Sequence, residues 1–468
     1  MRTKHTAMIS NFLTTTLLLA AALPASAQVV SSSDEPRLQG LMGEDLGPEE
    51  DLDTSLGGQF TNPFDASVTL TAVQPNIYKI TLNDTGTGWK EQFLLAMPRN
   101  TGTPAPLLMV FHGYSRTPDS ILEETKYLQK AQRKGWYGIA PMGAHKYSFS
   151  IPYAQQNIEA VLEWAIAQLE IDTDRIYGVG FSMGGGMAAT FAARHQNPNA
   201  PRFAAIVNHT GTVSMRDVYN NSINRGILEH PDMFGGSPDQ FPFLYAQSSA
   251  LDIDVLGDVD MGTDLSRNLL QTPVLSWFVD SDPLAYLALQ TEAFHAHLGT
   301  RKVDSTLRRE ALSEHSWSTL RERSVFQFLS KKSLADPAVG TRVQVLADRD
   351  NNFYHFDVQQ RAADEFTRFD WRALSGLNRL FLESMTNLDG ISFHVKDVGL
   401  DGDRDLEVII KSASTDSISI EILGITQAPS DVKRSGVSNS DWSFDAATGV
   451  LRLMDLDPSR YRQWTLVH

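Results

Sequence analysis

The pentapeptide Gly180-Phe181-Ser182-Met183-Gly184 restricts the local fold of this chain more than any other segment. It ends a continuous apolar run at 176–180 and opens a stretch containing Gly185, Gly186, Ala188 and Ala189. A run that is apolar at every position suits a strand buried on both faces, and small residues let a helix lie close against a sheet. The spacing therefore predicts a strand, a sharp turn at Ser182 and a helix packed back on the sheet. Further unbroken apolar runs lie at 107–111, 137–140, 204–207 and 274–279. Helical stretches at 121–134 and 154–169 separate several of them, the second with Ile158, Val161, Leu162, Ala165 and Leu169 on one stripe. Strand alternating with helix argues for a mostly parallel sheet covered on both sides.

The texture differs at either end of this region. Before it, Val68, Leu70 and Ala72, then Ile77, Tyr78, Ile80 and Leu82, then Phe93 to Leu95 read as antiparallel strands joined by turns. After Lys331 and Lys332 the period returns to two, with Ile418, Ile420 and Ile422 alternating with polar residues, and further strands expected at 450–454 and 464–467. The expected architecture is an α/β domain over residues 61–335 and an all-β, sandwich-like accessory module over 338–468. The aromatic-rich segment 211–270, with Met215, Tyr219, Phe241, Phe243 and Tyr245, is either a cap over a pocket or a packed excursion.

The strand–turn–helix context makes Ser182 a candidate nucleophile. Such a turn exposes the serine Oγ, and the helix start directs the Met183 N–H at a developing oxyanion. Phe111-His112-Gly113-Tyr114 ends another apolar run, with Gly113 allowing the chain to bend there. A carboxylate and then a histidine should follow the serine in the chain. Asp282 lies just beyond the run at 274–279, with Asp280 as the alternative acid, and His315 follows in Ser313-Glu314-His315-Ser316-Trp317. Among the twelve histidines, His209 at the end of a strand competes with His315 for the role of general base.

At these residues the chain resembles the α/β-hydrolase superfamily, over roughly residues 65–332. Within it, the run from Asp174-Arg175-Ile176 through Ser182 to Gly186 is similar to the prolyl oligopeptidase and dienelactone-hydrolase-like branch. So is Phe234-Gly235-Gly236-Ser237-Pro238 followed by Ser248-Ser249-Ala250-Leu251, whereas Phe111-His112-Gly113-Tyr114 looks more like secreted polyhydroxybutyrate-depolymerase and feruloyl-esterase-like proteins. The resemblance implies a serine hydrolase with a triad of Ser182, His315 and Asp282 and oxyanion donors at Tyr114 and Met183. Prolyl oligopeptidases carry a large β-propeller ahead of this domain. Here only about 40 residues are expected between an export signal and the first strand, which favours an esterase over a peptidase. Many relatives have glycine where this chain has Val279-Asp280, so the choice between Asp280 and Asp282 stays open at this point.

Composition sharpens these expectations. Cysteine is absent, which removes thiolate zinc sites, iron–sulfur clusters and cysteine nucleophiles and leaves serine to carry the chemistry. A net charge of −16 disfavours nucleic acid as a partner, because phosphate recognition usually needs a basic stripe. Arg2 and Lys4, an apolar run at 12–23 and Ala25-Ser26-Ala27 form an export-signal pattern over 1–27. An acidic leader over 28–60 follows, and no later stretch is long enough for a membrane span. The expected protein is periplasmic or extracellular, needs no cofactor or metal, and acts on a small-molecule or polymeric ester. Asp401-Gly402-Asp403-Arg404-Asp405 and Asp348-Arg349-Asp350-Asn351-Asn352 resemble partial calcium loops but read better as solvated turns. Exposed aromatics of the C-terminal module could touch a polysaccharide or polymer surface. A peptidase of the same mechanism and a non-catalytic surface-binding protein on a hydrolase scaffold are the alternatives.

Overall fold

The computed structural model describes residues 68–98, 103–222, 225–254, 257–412, 416–456 and 460–468. The export-signal pattern (1–27) and the acidic leader (28–60) lie outside them. Among the described residues the α/β domain has nine strands: β1 (Val68–Gln74), β2 (Ile77–Leu82), β3 (Glu91–Ala96), β4 (Ala105–Phe111), β5 (Tyr137–Pro141), β6 (Ile171–Phe181), β7 (Ala205–His209), β8 (Val274–Val279) and β9 (Ser305–Glu310). They form one sheet in the order β1-β2-β3-β5-β4-β6-β7-β8-β9. β1, β2 and β3 pair antiparallel, as do β3 and β5, and every other pairing is parallel. The apolar runs fall in the central strands β4 to β8, of which β5, β7 and β8 are buried along their whole length.

Its helices are α1 (Ser120–Glu124), α2 (Tyr127–Arg133), α3 (Pro152–Gln168), α4 (Met183–Arg194), α5 (Met215–Asn221), α6 (Arg225–Leu228), α7 (Pro242–Gln247), α8 (Ala285–Thr300) and α9 (Glu322–Leu329). One face of the sheet packs on α3, α4 and α8 through Ile158, Val161, Met187, Phe294 and Leu298. The other packs on α1, α2 and α9 through Ile121, Tyr127, Leu128, Val325 and Phe326. The single helix expected over 121–134 is two. Thr125 Oγ1 bonds back to the Ile121 carbonyl at 2.5 Å while Thr125 itself is extended, so its side chain ends α1 before α2 begins. Within 211–270, Met215, Met233, Phe234 and Tyr245 belong to the main core cluster.

The C-terminal strands are β10 (Val343–Ala347), β11 (Asn351–Phe353), β12 (Phe356–Gln360), β13 (Thr367–Leu374), β14 (Arg379–Thr386), β15 (Leu388–His394), β16 (Leu406–Ser412), β17 (Ile418–Leu423), β18 (Asp431–Arg434), β19 (Val437–Ser438), β20 (Trp442–Asp445), β21 (Val450–Asp455) and β22 (Tyr461–Val467). They build two sheets, ordered β10-β13-β14-β16-β22-β18-β19 and β11-β12-β15-β17-β21-β20. Between them lies a separate core that includes Phe356, Trp371, Ile420, Leu453 and Trp464. This is a β-sandwich module, as the return to a two-residue period requires.

The module is fastened to the α/β domain by buried polar contacts. Arg194, the last residue of α4, donates to Asp348 from Nε at 2.8 Å and Nη2 at 2.5 Å, and both side chains are almost wholly buried. The reading of Asp348 as part of a solvated turn is therefore corrected: a carboxylate that pairs a buried guanidinium has no access to water. Burial pushes the Asp348 carboxyl up, yet Arg194 and Arg349 hold it below the usual carboxylate range. Asn268 Nδ2 bonds the carbonyls of Ala193 (2.9 Å) and Leu346 (2.8 Å), and its Oδ1 accepts from Leu346 N at 2.9 Å. Tyr354 Oη donates to the Asn268 carbonyl at 2.6 Å. The 401–405 segment is a turn, in which Asp401 Oδ1 accepts from Asp403 N at 3.0 Å.

Candidate active site

The carboxyl ends of β4, β6, β7 and β8, where open α/β sheets bind ligands, bring the singled-out residues together. Ser182 sits between β6 and α4 with φ 54° and ψ −121°, a backbone conformation rare for any residue with a side chain. It is held by a hydrogen bond from Ser182 N to the His209 carbonyl (2.9 Å) and by one accepted from Thr212 N (3.1 Å). Two glycines make the turn possible. A Cβ on Gly180 would lie 1.9 Å from the Gly184 carbonyl oxygen, and one on Gly184 would lie 2.2 Å from that of Phe111. No side chain fits at either position.

His315 Nδ1 is 2.9 Å from Asp282 Oδ2. Asp282 is buried, and its other oxygen accepts from Leu284 N at 2.8 Å. Asp280, the alternative acid, is partly exposed and pairs with Arg309 on β9. Geometry thus distinguishes two acids that spacing alone left open. His315 Nε2 is buried and makes no hydrogen bond. Its contact with the Ser182 hydroxyl is not closed in this structure, and such contacts commonly tighten only when substrate binds. Phe181 lies against the imidazole, with ring centroids 4.5 Å apart, and also against Trp317 at 5.4 Å.

His209 is placed differently. Its Nε2 contacts Thr319 Oγ1 at 2.8 Å, its ring is wholly buried, and burial, then the neighbouring His315, pushes its imidazole down to about 3. It remains a neutral ring supporting the elbow, with its carbonyl turned to Ser182 N.

The two candidate oxyanion donors lie at the starts of their segments. Met183 opens α4, where the first amides have no acceptor one turn earlier in the helix. Tyr114 follows β4, and its N–H makes no backbone hydrogen bond among the described residues. The turn bearing it is fixed by the His112 ring, whose one N–H in the neutral form donates to the carbonyl of Gly113 (2.9 Å from Nδ1) or of Met142 (3.0 Å from Nε2), and by Ser115 N bonded to the Lys146 carbonyl (2.9 Å). The Tyr114 ring packs against Tyr147 and Phe149, at 5.2 and 5.6 Å between centroids. Burial pushes its phenol well above the ordinary value, so it stays neutral.

Sequence reasoning passed over the residue that holds the loop carrying Tyr147 and Phe149. Glu91, wholly buried at the start of β3, accepts from the amides of Met142 (2.8 Å), Gly143 (2.9 Å) and Ala144 (2.7 Å), and from Asn157 Nδ2 (3.0 Å). Burial raises its carboxyl against the pull of these four bonds. A lone glutamate in a half-apolar strand gives no warning of this role. Phe181 and Trp317 were closer to hand, since both flank motif residues.

Residues 153–330, a span that contains Ser182, Asp282 and His315, match the family model described as the prolyl oligopeptidase family. This domain has the α/β-hydrolase fold. The match supports a serine hydrolase, and the strand, sharp turn and helix around Ser182 are those the sequence led one to expect. A search of curated proteins gave no match. Among solved structures the chain is similar to an S-formylglutathione hydrolase from Agrobacterium tumefaciens, at 15% identity and a TM-score of 0.43, covering 56% of this chain and 98% of that one. It is also similar to a Pyrobaculum calidifontis esterase (18%, TM-score 0.38, 55% and 83% covered) and to an acylaminoacyl peptidase from Pyrococcus horikoshii (16%, TM-score 0.40, 53% and 40% covered). Among the described residues of the hydrolase and its module, no group of three or more His, Asp or Glu could hold a metal ion, and no helix is long and apolar enough to cross a membrane.

Proposed function

We propose that the protein is an exported serine hydrolase that cleaves carboxylic esters through an acyl-enzyme. Ser182 Oγ attacks the ester carbonyl while His315 Nε2 takes its proton. Asp282 fixes the imidazole tautomer and stabilises the imidazolium, and His315 returns the proton to the leaving alcohol. The Tyr114 and Met183 amides receive the oxyanion, a contribution worth roughly 10² to 10³ in rate per donor. Water, activated by the same histidine, then releases the acid. The observation that carries this reading is the pairing of the buried Asp282 with the half-buried His315 at 2.9 Å, at the same end of the sheet as a serine whose backbone is held at positive φ.

The aromatic cluster of Tyr114, Tyr147 and Phe149 next to the candidate Tyr114 amide supports an apolar acyl group. The signal-like segment 1–27 supports export. A peptidase of the same mechanism is the second reading, favoured by the match to the prolyl oligopeptidase family.

A fluorophosphonate probe should label the wild type and fail to label Ser182→Ala, with thermal unfolding of the variant unchanged. Labelling elsewhere, or substantial turnover by the variant, would overturn the assignment of Ser182. A panel of aryl and alkyl esters set against matched peptidyl anilides then separates the two readings, with higher kcat/KM on esters expected.

A further inference from the structure

Away from the elbow, the seven-stranded sheet of the C-terminal module carries an open groove of about 560 Å³ at one end of β13, β14, β16 and β22. Pairing sets its lining side by side: Arg368 opposite Thr386, and Lys411 opposite Tyr461. Bulges between Arg368 and Asp370 and between Glu383 and Met385, with Ser384 at φ 57°, break the regular alternation there. Bulges re-aim side chains in this way and concentrate at binding sites. Arg368, Lys411 and Arg460 contribute three cations to the groove, and Ser384, Thr386 and Tyr461 contribute hydroxyls.

Two of these cations have spare capacity. Lys411 is shared with Glu383 at 3.1 Å. Arg368 has a buried Nε with no hydrogen-bond partner, and neither Arg368 nor Arg460 forms an ion pair among the described residues. Tyr461 adds an aromatic face. It is 53% exposed and is the one exposed aromatic side chain of the module among the described residues, because Trp371 and Trp464 are buried and Trp442 and Phe444 pack on the core.

We infer that this groove binds an acidic saccharide, with the carboxylate of a uronic-acid unit held by Arg368 and Arg460 and a sugar face laid on Tyr461. Guanidinium forks match carboxylates in geometry and charge, an aromatic ring supplies an apolar platform for the C–H face of a sugar, and the hydroxyls of Ser384 and Thr386 can bond ring oxygens and hydroxyls. The groove lies on a different sheet from the elbow, so this binding is independent of which acyl group the hydrolase domain accepts.

Calorimetric titration of the full chain with trigalacturonate, neutral galactotriose and inorganic phosphate tests this. Saturable binding of trigalacturonate that weakens with added salt is expected, with none to galactotriose. Arg368→Gln and the exposed Arg460→Gln should each weaken it about tenfold or more, in keeping with loss of a charge-assisted contact. Tyr461→Ala should weaken it while leaving turnover of a small ester unchanged. No binding by the wild type, equal binding by the three variants, or full competition by equimolar phosphate would overturn the proposal. The last outcome would make the groove a site for small oxyanions and not for a sugar acid.

Discussion

Asp280 and Asp282 stand on either side of Ser281, and the fold gives them unlike surroundings. Asp282 is buried, with one oxygen on His315 and the other on the Leu284 amide, whereas Asp280 faces Arg309 at the surface. A carboxylate that orients an imidazole must be held, and only Asp282 is. Asp282→Asn should therefore lower kcat by about 10³- to 10⁴-fold, because the amide supports the wrong tautomer. Asp280→Asn should leave kcat within about twofold, as expected of a surface pair. Steady-state kinetics on one good ester substrate measures both, and equal losses would contradict the assignment. The sequence brought the choice down to these two residues because an acid should follow the strand at 274–279. It could not decide further, since the decision depends on which side chain turns inward beside a histidine 33 residues away.

Helix α4 meets the sheet where no side chain fits, and its position fixes that of Ser182. Gly184→Ala would push a Cβ to within 2.2 Å of the Phe111 carbonyl oxygen, and the obstacle is backbone, which cannot swing aside. The variant should lose about 3 kcal/mol of stability and most of its labelling by fluorophosphonate; urea denaturation and a labelling time course are the two measurements. Central strands were readable because burial on both faces writes itself as an unbroken apolar run, as in β5 and at 107–111 of β4. Others were not. β9 (Ser-Thr-Leu-Arg-Arg-Glu) is an edge strand of partly exposed residues, so no periodicity betrays it. The break between α1 and α2 depends on one threonine hydroxyl, and Glu91 works through three amides more than fifty residues ahead of it.

The hydrolase domain and the β module each have a core, but the boundary between them is not a linker surface. Arg194 at the end of α4 is neutralised by Asp348, and Asn268 is bonded into both sides. Asp348→Ala would leave a buried guanidinium without its principal counter-charge, and should cost about 3–5 kcal/mol. The paired replacement Arg194→Met with Asp348→Leu should recover most of that loss, because the desolvation penalty goes with the charges. Denaturant midpoints of the two variants test this, and similar destabilisation in both would mean that the ion pair is not the cause. The same contact sets an order of events during synthesis. Asp348 lies 154 residues beyond Arg194, so at common elongation rates it leaves the ribosome about 8–30 s later. Until then the helix that follows Ser182 has no charge partner from the module at its far end, and a chain released before β10 carries every residue of the proposed triad on an unfinished support. Completion of the nucleophile's helix is thereby tied to completion of the polypeptide.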